Sequence, residues 1–240
     1  MTIGLVVSLF ASLGVGFSGH LQAQLVAKQQ PMKTAAAEAL WEDERGAGFS
    51  LFAVGDIVNG RNHINVQLPH MLSVLTTNTW NGEVRGINDI QAEYVRRFGP
   101  GSYIPVVGVI YWSFRLMVGA GLLMILASVF GLWLLRRGSL ETARWFLRVV
   151  PFAIALPYLA NTMGWIMTEM GRQPWVVFGV MLTRDAVSTA VGVGFVVSTL
   201  VGFTLIYGLL TVVDVYLLSR FARSEPPAAE EPSARPALVY

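Results

Sequence analysis

The sequence predicts an all-α integral membrane protein with about four transmembrane helices and a long extracytoplasmic loop between the first and the second. Of its 240 residues, 54% are hydrophobic and only 13% are charged, whereas a soluble domain carries about 25% charged residues. The apolar residues form long blocks instead of amphipathic stripes. Each block is close to the roughly twenty residues that cross a bilayer as a helix. The basic residues lie mostly between or after these blocks.

Four blocks with few or no charges correspond to the predicted transmembrane helices. They comprise residues 1–19, 116–135, 149–167 and 187–213. The first block lacks the basic start of a secretory signal and is followed by a poor cleavage site, so we interpret it as a mature membrane helix. The predicted organisation is a helix over 1–19, an extracytoplasmic loop over 20–104, a three-helix region over 105–223 and a disordered tail over 224–240. The tail is rich in Pro, Ala and Glu, a composition typical of disorder.

Basic residues predict the orientation in the membrane. They crowd the connection between the second and third helices and follow the fourth: Arg136, Arg137, Arg144, Arg148, Arg220 and Arg223. By the positive-inside rule this connection and both termini are cytoplasmic, and the long loop is on the outer side. The pI of about 9.1 reflects these flanks and implies a membrane lipid environment and no nucleic acid.

The absence of cysteine excludes several classes of site. The sequence contains none, so disulfides, thiolate metal sites, cysteine-ligated iron–sulfur clusters and c-type haem attachment are excluded. The three histidines, His20, His63 and His70, lie in or beside the predicted loop and outside the apolar blocks. A haem held between two membrane-embedded histidines of this chain is therefore not expected, and Met or Glu would have to serve as a ligand.

The loop is too long to be a simple connection and is expected to fold. Residues 31–44 (PMKTAAAEALWEDE) predict a helix, with Pro31 in its first turn. Residues 49–75 predict irregular structure with a short strand, and residues 87–98 predict a second helix that ends before Gly99 and Pro100. Lys33 and Glu38 would be about 140° apart around the first of these helices, so they do not face each other. Taken alone, the pair is most simply ordinary solvated helix charge, and the alternative is that each side chain faces a separate partner.

Charged and sulfur-containing side chains within the apolar blocks are candidates for function, because they are costly in a bilayer. Arg115 either belongs to a site or extends to the outer interface. Met117 is either an ordinary packing residue or a ligand. Asp214, near the end of the fourth block, is most simply an interfacial charge.

The third helix carries the densest group of such residues. Asn161, Trp165 and Glu169 recur every fourth residue and share one face, and Arg172 follows three residues after Glu169. The carboxylate and the arginine form either a plain ion pair or a metal ligand with an arginine that holds a propionate or phosphate. Gly171 allows a helix C-cap and Pro174 prevents continuation of the helix.

Three motifs, in order along the chain, resemble one protein family. Residues 30–38 (QPMKTAAAE) resemble the start of the quinol-binding loop of cytochrome bd oxidase subunit I. Residues 112–118 (WSFRLMV) look like the helix that follows this loop, and residues 168–175 (TEMGRQPW) are similar to the family's signature. The chain thus resembles the C-terminal half of that subunit, with a quinol-binding loop of the short kind. The family chain is about twice as long and has nine helices.

The resemblance implies roles for individual residues. Lys33 and Glu38 match loop residues implicated in quinol binding and oxidation. Met117 matches an axial ligand of the low-spin haem b, and Arg115 matches an arginine close to that haem. Glu169 matches the carboxylate ligand of a high-spin haem. Trp165 and Arg172 match residues that line the same haem region.

The implied function is quinol:oxygen oxidoreduction with haem b, both low-spin and high-spin, and haem d, in a bacterial cytoplasmic membrane. The implied partners are subunit II, a chain or segment carrying the N-terminal helices and, in some members, a small single-helix subunit. Activity is expected only in that complex, because the histidine ligands of the family lie in the missing half. Two alternatives stay open at this point: an ion or solute transporter fragment, and a non-catalytic membrane remnant that binds no haem alone.

Overall fold

The computed structural model describes residues 2–56 and 60–223, so the predicted tail lies outside the described residues. Its helices are α1 (Thr2–Gln29), α2 (Pro31–Glu38), α3 (Met71–Thr77), α4 (Ile87–Phe98), α5 (Val107–Arg136), α6 (Arg144–Val149), α7 (Ala155–Gly171) and α8 (Val193–Arg223). Its strands are β1 (Glu44–Arg45), β2 (Phe49–Asp56), β3 (Arg61–Leu68), β4 (Glu83–Val84), β5 (Trp175–Val177) and β6 (Met181–Leu182). Short 3₁₀ turns occupy Val150–Ile154 and Thr183–Asp185. Residues 1–186 form one compact unit, and α8 belongs to a second.

Four helical stretches are long and apolar enough to cross a membrane, as the sequence predicts. They are Thr2–Gln29, Val107–Arg136, Arg144–Gly171 and Val193–Arg223, with mean hydropathies of 1.7, 2.3, 1.4 and 2.1. The third stretch joins α6, a 3₁₀ turn and α7. The fold is therefore mostly helical, and its strands form three small antiparallel pairs, β1–β4, β2–β3 and β5–β6.

All four helical stretches extend beyond their apolar blocks, although α8 begins only at Val193 and leaves the first six residues of its block, 187–192, outside it. Helix α1 continues to Gln29 instead of ending at residue 19, because the following Leu, Gln and Ala residues are good helix formers. His20 therefore lies inside α1 and not in the loop. Helix α8 continues to Arg223, so Asp214 lies well inside this helix and not one turn from its end.

We call residues 30–106, between α1 and α5, the connecting segment. Helix α2 ends at Glu38, earlier than the predicted residue 44, because Ala39 adopts a left-handed conformation with φ 49°. Its N–H still bonds to the last turn of the helix. The next carbonyls, of Leu40 and Trp41, accept hydrogen bonds from the N–H groups of Ile87 and Asn88. Contacts with the start of α4 thus replace further helix.

The middle of the connecting segment is more regular than the sequence prediction. Strands β2 and β3 form an antiparallel hairpin with Phe49 opposite Leu68 and Val54 opposite Ile64, where irregular structure was expected. The alternation of Ile64, Val66 and Leu68 with polar residues is a period-two pattern that indicates a strand. Helix α4 occupies Ile87–Phe98 as predicted.

The main core of the first unit lies where the connecting segment packs on the membrane helices. Helix α2 contacts α1, α4, α5 and α7. Its Ala35, Ala36 and Ala37 are almost completely buried, and these small side chains allow close approach of the neighbouring helices. We call the cluster that surrounds them the segment core. Its other large members are Met32, Trp41, Ile87, Ile90, Tyr94, Tyr103, Ile110, Tyr111 and Trp175.

Candidate functional site

Glu38 lies at the end of α2 and is held from two sides. Its side chain is buried, with 3% exposure, and it forms a two-pronged ion pair with Arg115 on α5. Arg115 Nη1 donates to Glu38 Oε1 at 3.2 Å, and Nη2 donates to Oε2 at 2.7 Å. The backbone N–H of Ser50 in β2 donates to the same Oε2 at 3.0 Å. Paired planar geometry of this kind fixes both side chains.

The Arg115 side chain is 9% exposed and is surrounded by aromatic rings. Its guanidinium carbon lies 4.6 Å from the ring centre of Phe49, 4.5 Å from that of Tyr111 and 5.1 Å from that of Phe114. Ser50 Oγ lies 2.9 Å from the Tyr111 hydroxyl, so hairpin β2–β3 is also joined directly to α5. The arginine therefore connects the connecting segment to a membrane helix.

The environment of Glu38 changes its acidity. Burial raises the pKa of the Glu38 carboxyl to about 7, while the Arg115 guanidinium and the Ser50 N–H act in the opposite direction. A carboxyl with a pKa near neutrality can both accept and release a proton under physiological conditions. This is the property expected of a group that handles protons.

Lys33 faces a different partner from Glu38, which is the alternative that the helical spacing left open. It is buried, with 7% exposure, against the end of α7. Burial and the nearby Arg172 lower the pKa of the Lys33 ammonium, while Glu169 acts in the opposite direction. A Cβ on Gly171 would lie only 2.8 Å from Lys33 Cγ. Gly171 is the last residue of α7, and the C-cap is Arg172 in a right-handed conformation, not Gly171 as predicted. Gly171 is needed instead because its missing side chain leaves room for Lys33.

A cavity of about 250 Å³ lies beside Lys33, and we call it the Lys33 cavity. Glu169 and Arg172 line it and form an ion pair with each other. Its other lining residues are Gln30, Met32, Tyr94, Tyr103, Thr168, Gly171, Gln173, Trp175, Val176 and Phe178. The cavity therefore joins Lys33, from the quinol-loop motif, to Glu169 and Arg172, from the signature motif. Glu38 and Arg115 do not line it.

The remaining predicted residues lie on α5 and α7. Met117 is partly buried, and a Cβ on Gly164 would lie 2.9 Å from its Sδ. Gly164 thus leaves the space that the thioether occupies between the two helices. Trp165 is 65% exposed, and Asn161 is exposed one turn earlier. Met117 and Trp165 therefore do not meet Lys33 or Glu38.

These residues provide part of the donor set that a haem requires. A methionine thioether is a known haem-iron ligand. A carboxylate oxygen can also coordinate iron. The exposed face of Trp165 leaves room for a flat group beside α7. Within residues 2–56 and 60–223, no three His, Cys, Asp or Glu side chains are grouped to hold a metal. Met117 and Glu169 would each need a second axial ligand or other contacts from outside this set.

Sequence reasoning missed three residues that the structure places at the sites. Ser50 and Tyr94 lie in the connecting segment, and no local motif distinguishes them. Tyr111 directly precedes the WSFRLMV motif, so its position was a usable signal. Ser50 and Tyr111 are brought together only by the fold, since their hydroxyls lie 2.9 Å apart although the residues are 61 positions apart in the chain.

Comparison with known proteins gives consistent similarities. The family model described as cytochrome bd terminal oxidase subunit I matches residues 1–226. Cytochrome bd ubiquinol oxidase subunit 1 of Bacillus subtilis is 45% identical over 91% of this chain and 47% of its own length. Cytochrome bd-II ubiquinol oxidase subunit 1 of Escherichia coli is 28% identical over 96% of this chain and 56% of its own length.

A solved structure is similar as well. The bd oxidase from Geobacillus thermodenitrificans superimposes with a TM-score of 0.73 at 27% identity, over 94% of this chain and 49% of that one. The chain thus spans about half the length of the relatives that it matches.

Proposed function

This chain belongs to the cytochrome bd terminal oxidase subunit I family, and on that premise we propose that it forms the C-terminal half of a quinol:oxygen oxidoreductase. The oxidase would lie in the bacterial cytoplasmic membrane, with both termini on the cytoplasmic side and the connecting segment on the outer side. Its partners would be subunit II, a chain or segment with the N-terminal helices and a small single-helix subunit.

The observation that carries this proposal is the buried carboxyl of Glu38. Oxidation of a quinol to a quinone releases two electrons and two protons. A nearby group must accept those protons, and a carboxyl with a pKa of about 7 is suited to accept them one at a time. Arg115 holds the carboxylate in place and stabilises its ionised form.

Lys33 would serve a different step from Glu38, because the two side chains lie on different sides of α2. Lys33 lines the Lys33 cavity, where a cation can bind and orient an oxygen atom of the substrate or of a redox group. Its lowered pKa makes it easier for the ammonium to give up a proton there. We assign orientation to Lys33 and proton acceptance to Glu38.

The haem region would use Met117 as ligand of a low-spin haem b and Glu169 as ligand of a high-spin haem. Arg115 would lie close to the first haem, and Trp165 and Arg172 close to the second. When bound, haem b and haem d supply the electron transfer and the reduction of oxygen to water. Arg115 and Met117 are two residues apart on α5 and point in different directions. One helix thus connects the Glu38 site with the haem ligand.

The alternative of an ion or solute transporter receives less support from these contacts. The residues that would form an ion path are neutralised within the chain, since Arg115 pairs with Glu38 and Glu169 pairs with Arg172. Asp214 lies on α8 in the second unit. The proposal of a non-catalytic remnant is tested by the haem spectrum of the assembled complex.

The test of the proposed function replaces Lys33 or Glu38 with alanine in the assembled oxidase. We expect slower oxygen consumption with quinol but not with an artificial donor that delivers electrons directly to the haems. The reduced-minus-oxidised haem spectrum should stay unchanged. Arg45→Ala is a matched control, because Arg45 forms an exposed ion pair with Glu83 elsewhere in the connecting segment. Equal losses with both donors would refute the quinol role.

A further inference from the structure

The Lys33 cavity contains buried polar atoms that have no partner. Tyr94 and Trp175 are 3% and 6% exposed. Among the described residues, the hydroxyl of Tyr94 and the Nε1–H of Trp175 have no hydrogen-bond partner. Both side chains line the cavity. Buried donors are almost always paired in folded proteins, because an unpaired donor loses its hydration without compensation.

The same wall also contains one unpaired buried acceptor, Gln30 Oε1, and one paired hydroxyl, that of Tyr103. Tyr103 stacks on Trp175 with ring centres 5.5 Å apart, and its hydroxyl donates to the Gly99 carbonyl at 3.2 Å. Phe98 and Phe178 pack against Trp175 and hold the indole in position. The aromatic wall thus fixes the two unpaired donors beside the Lys33 cavity.

The charge of the cavity identifies the kind of group that would pair with these donors. Lys33 and Arg172 are both cationic, and Glu169 is the one carboxylate among the lining residues. The wall thus has an excess of positive charge, and its unpaired buried atoms are two donors and one acceptor. An oxygen atom with lone pairs complements the two donors, whereas another cation does not complement the charge. A volume of about 250 Å³ accepts a single substituted ring or a short carboxylate arm, and it is too small for a whole porphyrin.

We propose that Tyr94 and Trp175 donate hydrogen bonds to a carbonyl or carboxylate oxygen of a redox group bound in the Lys33 cavity. The oxygen belongs either to the ring of the quinol or quinone, or to a propionate of the haem that Glu169 would ligate. The inference rests on the proposed function, because that function supplies both groups. Burial raises the pKa of the Tyr94 hydroxyl to about 12, which keeps it protonated as a donor.

The test compares Tyr94→Phe and Trp175→Phe with the unaltered oxidase in its assembled, haem-loaded form. Tyr94→Phe removes a single hydroxyl and keeps the ring, so it remains decisive if Trp175→Phe fails to assemble. Duroquinol is the substrate probe, and tetramethylphenylenediamine is the donor that bypasses the quinol site. The measurements are KM and kcat with each donor and the midpoint potential of each haem.

A quinol oxygen predicts that KM for duroquinol rises about threefold to tenfold per lost hydrogen bond, with unchanged haem potentials. A haem propionate predicts a shifted potential of the high-spin haem with unchanged KM. Either result supports the proposal and identifies the source of the oxygen. Unchanged KM and unchanged potentials in Tyr94→Phe would overturn it.

A matched control and a separate readout complete the design. Trp80→Phe removes the same indole N–H from a side chain that is 65% exposed and does not line the cavity. This variant should match the unaltered protein in every measurement. If the unaltered oxidase uses tetramethylphenylenediamine but not duroquinol, the proposed function fails. The haem midpoint potentials of the Tyr94→Phe variant would still test whether Tyr94 donates a hydrogen bond to a haem propionate.

Discussion

The segment core and the part of α5 and α7 that carries Met117, Trp165 and Glu169 differ in how completely this chain surrounds their functional residues. Glu38 and Lys33 are 4% and 7% exposed, and Glu38 has partners from α5 and β2. Trp165 on α7, in contrast, is 65% exposed. Among the described residues, the salt-bridge partner of Glu169 is the neighbouring Arg172. The Glu169 side chain is 36% exposed.

This difference indicates that the two proposed chemistries depend to different degrees on residues outside this chain. Residues of this chain alone bury Glu38 and Lys33. The proposed haem ligands lie on surfaces that this chain leaves partly open, in agreement with a match to about half of each relative. Variants in the two regions should therefore give different combinations of spectral and kinetic change.

The largest effect is expected for Glu169→Gln. The amide keeps the size of the side chain but is a much poorer iron ligand, so a ligand role predicts a changed high-spin haem band and a collapse of oxygen consumption. If Glu169 serves only as the ion-pair partner of Arg172, the spectrum stays intact and stability falls modestly. Absorption spectra and oxygen-electrode rates of the assembled complex distinguish these results. An active Gln variant with all haem bands would eliminate the ligand role.

Met117→Leu should remove the low-spin haem signal while the segment core stays folded. Leucine nearly preserves the volume beside Gly164 but has no thioether to bind iron. The measurement is the reduced-minus-oxidised spectrum, with Met124→Leu on the same helix as the control. An unchanged low-spin band in the Met117 variant would show that this methionine only packs between α5 and α7.

Glu38→Gln should slow quinol turnover on the order of a hundredfold, a typical contribution of a positioned acid–base group. The carboxyl accepts a proton only when ionised, and its pKa is about 7. The turnover of the unaltered oxidase should therefore rise as the pH increases through about 7, and the Gln variant should lose this rise. The check is a pH profile of turnover with quinol and with the bypassing donor. An identical profile in both proteins would contradict the role of Glu38 as a base.

The smallest effect is expected for Gly171→Ala. The new Cβ would lie 2.8 Å from Lys33 Cγ, so Lys33 must move away from α7. Overpacking of this kind costs about 1–3 kcal/mol, and we expect a lower unfolding temperature with the haem bands retained. Gly119→Ala on α5 is the control, because no described side-chain atom lies within 4 Å of its added Cβ. Equal stability of the two variants would show that the Lys33 packing is not tight.

Features that depend on neighbouring residues could be predicted from the sequence. Composition and apolar length predicted the four spans, although helix propensity carried α1 and α8 further than the apolar blocks. Flanking glycines predicted α4, and Pro174 predicted the end of α7. The spacing of Lys33 and Glu38 predicted that they do not face each other, because helical geometry alone fixes that angle.

The identity of those partners was decided by the tertiary structure. Arg115 and Glu38 are 77 residues apart, and no periodicity of either helix indicates that they pair. The left-handed turn at Ala39 and the hairpin β2–β3 bring the Ser50 N–H to the same carboxylate. The packing of α2 against the end of α7, and of α4 against the residues that follow α7, forms the Lys33 cavity with its two unpaired donors. Such contacts arise because a compact core brings distant residues together, and the order of residues along the chain records no distance between them.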